Sequence, residues 1–130
     1  MSTAPSAPRS VVAARLRQAR QLRGLSQREV GVRMGLDKDT ASARISRYES
    51  ESMAVSLESL FKLARALDVP PAYLLATTPA MADAILSLGR ESESQQGSLA
   101  TVLDALTKLP VTQRKALVKD IVDAASLEKR

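Results

Sequence analysis

"SQREVGVRMGLDKDTASARISRYE", Ser26 to Glu49, is the stretch on which the fold turns. Its first part announces a helix: Ser26 is an N-cap residue and Glu29, three positions on, completes a capping box. Val30 and Met34 share the inward side, and Gly35, eight residues after Gln27, supplies the stop. The second part carries Ala41, Ile45 and Tyr48 at i, i+4 and i+7, one apolar face of a second helix. At about 100° per residue, Ala43, Ser46, Arg47 and Ser50 lie opposite, flanked by Thr40 and Arg44. That outward face is small, polar and basic. Asp37, Asp39 and Thr40 can each cap the second helix, and spacing does not choose among them.

Upstream, Ser10 to Arg23 reads as a helix closed by Gly24, with Val12, Leu16 and Ala19 on one face and Arg15, Arg17, Arg20 and Arg23 over much of the rest. Downstream, Ser56 caps "LESLFKLARAL", in which Leu57, Leu60, Phe61, Ala64 and Leu67 form an apolar stripe. "DVPPAYLL" begins a short fifth helix, with its proline pair tolerated only at the start. These five elements make one small all-helical domain over residues 10–77, preceded by a flexible arm at 1–9. Residues 78–98 read as a helix and a polar linker, "GRESESQQGS". Residues 99–130 read as a helical hairpin: Leu99, Val102, Leu103, Leu106 and Leu109 precede Pro110, and Leu117, Val118, Ile121, Val122 and Ala125 follow it. Two helices alone cannot bury that surface, so it packs on the first domain or on a second copy.

The composition narrows the chemistry. The chain of 130 residues has no cysteine and no histidine, which excludes disulfides, thiol catalysis, Cys/His zinc sites and the usual general base. No catalytic constellation, metal set or phosphate loop is evident, so neither an enzyme nor a cofactor is expected. No apolar run reaches the length of a membrane span, the first ten residues lack the core of a secretory signal, and the missing cysteines suit a reducing cytoplasm. The net charge of +5 is unevenly placed: residues 1–50 carry ten Arg/Lys against four Asp/Glu, and residues 51–130 nine against ten. A basic first segment beside a near-neutral second one points to a polyanionic partner.

Residues from about 13 to 75 resemble the Cro/phage-repressor type of helix–turn–helix, the xenobiotic-response-element family of bacterial and phage regulators. The resemblance is carried by "LRQARQLRGLSQREVGVRMGL", "ISRYE" and "SLESLFKLARALDVPPAYLL". It implies an all-α, five-helix lambda-repressor-like DNA-binding domain, here followed by a C-terminal helical extension. It further implies a cytoplasmic, nucleoid-associated, sequence-specific regulator of transcription, a repressor acting as a homodimer on a two-fold operator in double-stranded DNA. In such domains the second helix lies across the phosphate backbone and the third enters the major groove. By position, Gln27 would bond a phosphate with Arg28 beside it, and Ser42, Ala43, Arg44, Ser46 and Arg47 would take the reading positions. Arg47 is the foremost candidate for guanine and Arg44 for a phosphate. The resemblance also pairs Arg20 with Glu49, the inward carboxylate that would be costly alone.

Two departures stand out. About four additional residues, one helical turn, lie between Leu36 and Arg44, and alignment from "ISRYE" places them at Asp37 to Thr40. They would lengthen either the third helix or the turn before it. After the third helix, Ser50, Glu51 and Val55 replace the family's usual glycine, basic loop and proline, and Glu51 would repel phosphate. An alternative function follows from that acidic loop: a protein-interaction module, such as an antitoxin or a regulator cofactor, using the same helices. Salt separates the two, because phosphate contacts weaken steeply with it and an apolar interface barely responds.

Overall fold

The computed structural model describes residues 7–128, and every regular element among them is helical. In order, these are α1 (Pro8–Arg23), α2 (Gln27–Arg33), α3 (Ala41–Glu49), α4 (Leu57–Leu67), a 3-10 helix (Pro71–Leu75), α5 (Pro79–Gly89), α6 (Glu93–Lys108) and α7 (Val111–Glu128). The chain divides into two compact units, 1–90 and 91–130.

Local chemistry sets the ends. Ser26 Oγ accepts from the Glu29 N–H and Glu29 Oε1 accepts from the Ser26 N–H, both at 3.0 Å, the reciprocal box expected at the start of α2. Those bonds hold the Glu29 carboxyl below the usual carboxylate range, because they favour the charged form. Gly24 takes the left-handed conformation (φ 66°) that closes α1. α1 starts at Pro8, not at Ser10: Ala7 is the N-cap, and proline at N1 has no N–H to leave unpaired. The expected arm at 1–9 therefore loses its last residues to α1, and residues 1–6 lie outside the described chain. The expected short fifth helix is a single 3-10 segment behind Pro70.

The core of the first unit is built from α1 to α5. Leu16, Val30, Ile45, Leu63, Leu67 and Leu74 are its largest fully buried side chains. In α4 the buried side is Leu60, Leu63, Ala64 and Leu67, whereas Leu57 and Phe61 of the expected stripe are exposed. The buried face is rotated by about one side-chain row from the spacing-based stripe, with Leu63 enclosed where Phe61 was expected. Arg15, expected on the wet side of α1, is buried: its Nε donates to the Ala76 carbonyl at 2.8 Å and its Nη1 to Gln18 Oε1 at 2.7 Å. This bond fastens the end of the 3-10 segment to α1.

The compact units divide after residue 90, whereas the sequence reading ends the first domain at 77. α5 belongs to the first unit: Ala82 is buried, Ile85 and Leu86 pack on the core, and Gly89 lies so close to Pro70 that a Cβ there would sit 2.5 Å from Pro70 Cγ. The polar stretch read as a linker is mostly helix, since Ser92 caps α6 by accepting from the Gln95 N–H. The second unit is α6 and α7, joined through extended backbone at Leu109 before Pro110. As expected of two helices alone, it encloses no core of its own. Neither helix buries a residue, the two make little contact with each other, and Leu99, Val102, Leu103, Leu117, Val118, Ile121 and Val122 are all exposed.

α2 and α3 pack against each other more closely than any other pair of elements. The crossing depends on two small residues: a Cβ on Gly31 would lie 2.6 Å from Ala41 Cβ and 2.8 Å from the Ala41 backbone. Gly31→Ala is therefore expected to destabilise the first unit by about 1–3 kcal/mol, through overpacking against backbone that cannot yield. Denaturant unfolding of the two proteins checks this, and equal midpoints would show that the helices separate at no cost.

Candidate nucleic-acid interface

α3 presents two sides with opposite fates. Ala41, Ile45 and Tyr48 are buried, while Ser42, Ala43, Ser46 and Arg47 are exposed and Arg44 is half-buried. The additional residues do not lengthen this helix. They form the turn ahead of it, in which the Asp37 carbonyl accepts from the N–H groups of Thr40 (3.0 Å) and Ala41 (2.9 Å) and Asp37 Oδ1 accepts from the Asp39 N–H (3.2 Å). Thr40 occupies the N-cap position without a side-chain capping bond. Asp37 thus spends part of its hydrogen-bonding capacity on its own turn, an arrangement characteristic of aspartate.

The far end of α3 is anchored by one carboxylate. Glu49 is 6% exposed and receives Arg20 in a two-pronged bond, Nε to Oε2 at 2.7 Å and Nη2 to Oε1 at 3.0 Å. Gln27 Nε2 donates to Glu49 Oε1 at 3.3 Å, and Arg17 Nε stands 3.6 Å from the same oxygen. Arg17 Nη2 also donates to the Glu49 carbonyl at 3.0 Å, and Arg20 Nη1 to the Leu25 carbonyl at 3.2 Å. The carboxylate raises the Arg20 pKa, chiefly by accepting its hydrogen bonds, so the guanidinium stays protonated beside it. One side chain of α3 is joined in this way to α1 and to the first residue of α2.

Of the residues selected from sequence, the structure gathers Arg20, Gln27 and Glu49 into one cluster and sets Ser42, Ala43, Arg44, Ser46 and Arg47 along one helix. Arg28 is exposed beside Gln27 in sequence and is not part of the cluster. Arg17 was overlooked. Its signal was there, an arginine one turn before Arg20 and so on the same side of α1. The acidic loop after α3 is tied down as well: Ser10 Oγ donates to Glu51 Oε1 at 2.5 Å and Arg9 Nη1 to the Glu51 carbonyl at 3.2 Å. Glu51 adopts φ 68°, the left-handed conformation that a glycine would take at lower cost.

A helix-turn-helix family profile matches residues 16–74. Among solved structures, the crystal structure of transcriptional regulator BswR is similar at a TM-score of 0.65 and 31% identity, over 72% of this chain and 92% of that one. The chain is a member of the xenobiotic-response-element family of helix–turn–helix proteins. A search of curated proteins gave no match. Membership and the BswR likeness support a DNA-binding transcriptional regulator. No helix among the described residues of this helix–turn–helix protein is long and apolar enough to cross a membrane.

The Glu49 cluster makes a direct energetic prediction. Removing either partner of a buried pair strands the other, at a cost of about 3–5 kcal/mol. Arg20→Met and Glu49→Gln should each destabilise strongly, and the double variant should recover part of the loss, with a coupling of about 1–3 kcal/mol. A double-mutant cycle by thermal or denaturant unfolding measures it. Simple additivity would mean that the two residues do not support one another.

Proposed function

We propose that this protein is a sequence-specific transcriptional repressor that binds a two-fold operator in double-stranded DNA as a homodimer, with α3 in the major groove. The observation that carries the reading is the exposed, polar and basic side of α3, set opposite Ala41, Ile45 and Tyr48 and anchored at Glu49. Small side chains at Ser42, Ala43 and Ser46 let the helix approach base edges closely, and Arg47 supplies the forked donor that matches guanine O6 and N7. Arg44 and Arg28 serve phosphates, and Gln27 steadies α3 through Glu49 while flanking the backbone. Repression then follows from occupancy of the operator.

The dimer rests on the second unit, residues 99–130 above all. α6 and α7 have 16 and 18 residues and bury none of them, yet a helix in a protein gains most of its stability from packing an apolar face. Their exposed Leu, Val and Ile side chains provide the surface that a second copy would cover. Two linked groove helices one turn of DNA apart raise affinity without any new contact.

Two experiments test the reading. Arg47→Ala should cost about 1–3 kcal/mol in binding and relax preference at one base pair, measured against randomised operators. An unchanged preference profile would remove Arg47 from the reading set. Truncation after Arg90, which keeps α5 on the core, should leave a folded monomer that binds DNA poorly; sedimentation showing a dimer of the truncated protein would refute the role given to α6 and α7.

A further inference from the structure

We propose that Arg17 is a DNA-phosphate contact, held toward the backbone by Glu49. This rests on the reading of α3 as the groove helix. The cluster around Glu49 contains two guanidinium groups and one carboxylate, so one positive charge is in surplus. The geometry decides which arginine carries it. Arg20 makes both short bonds to the carboxylate and its side chain is 19% exposed, so its charge is matched and largely enclosed. Arg17 stands 3.6 Å from an oxygen that already receives Arg20 and Gln27, and half of its side chain is exposed.

Its position is fixed all the same. The bond from Nη2 to the Glu49 carbonyl pins the guanidinium to the last residue of α3, the residue whose carboxylate also receives the first residue of α2. A planar donor already immobilised loses little further freedom on meeting an anion, and the guanidinium fork suits phosphate oxygens. Phosphates flank a groove entered by α3, and Arg17 stands where that helix ends. A sequence-independent grip next to the reading helix would set its depth and register without adding any base preference.

The test is the salt dependence of binding to a selected DNA fragment, followed by fluorescence anisotropy from low to moderate salt, for the full chain and for Arg17→Gln, Arg17→Met and Arg17→Lys. Thermal unfolding is recorded for each. Loss of one phosphate contact should reduce the slope of log K against log salt by about 0.9 in the Gln and Met variants. Arg17→Lys, which keeps the charge, should retain the slope, and the base-preference profile should stay as in the parent. A folded Gln or Met variant with the parental slope would overturn the assignment and leave Arg17 as a brace for Glu49. A slope lost in Arg17→Lys as in the neutral variants would overturn it too. If the unaltered protein binds no DNA in a salt-dependent manner, the groove reading fails, and the Arg17 contact with it.

Discussion

The buried carboxylate of Glu49 is the constraint on which the arrangement of the first unit depends. A carboxylate withdrawn from water is stable only if its oxygens are matched by donors in good geometry. Here the donors come from elsewhere: Arg20 and Arg17 on α1 and Gln27 on α2. Satisfying one group therefore fixes three helices. The close approach of Gly31 to Ala41 does the complementary work at the other end of α3, allowing the helix to lie directly on α2. Between them the two contacts determine which residues of α3 are left to solvent.

Much of this was legible because each signal is local. The capping box at Ser26 and Glu29, the stop at Gly24 and the Ala41–Ile45–Tyr48 face need only a few neighbouring residues to be read. The readings that failed depend on tertiary partners. Arg15 looks like a wet residue until the Ala76 carbonyl is placed against it from 61 positions away. Leu57 and Phe61 fit the α4 stripe by spacing, but the core meets that helix along Leu60, Leu63, Ala64 and Leu67. The polar run at 89–98 contains Ser92, a good cap, and the helix it starts was hidden by composition. In the candidate site, the exposed set on α3 followed from periodicity, whereas Arg17 emerged only once the Glu49 carbonyl had a position.

The additional turn and the acidic residues around α3 also acquire a physical account. The four extra residues enlarge the connection and leave α3 at nine residues, Ala41 to Glu49. Asp37 is turned partly onto its own backbone, and the Glu51 carboxylate is engaged by Ser10. Both carboxylates are thus given local hydrogen-bond donors, which fix their positions and leave their charge in place. The second unit poses the opposite question, apolar faces with no core of their own, and self-association is the use proposed for them.

The most direct measurement is selection of bound fragments from random DNA by the full chain, with the mass of the selected complex determined in parallel. The account predicts enrichment of a two-fold symmetric site, its half-sites centred about one helical turn (roughly 34 Å) apart, with two chains on each duplex. Failure to enrich any sequence, or a single unsymmetric site occupied by one chain, would contradict it.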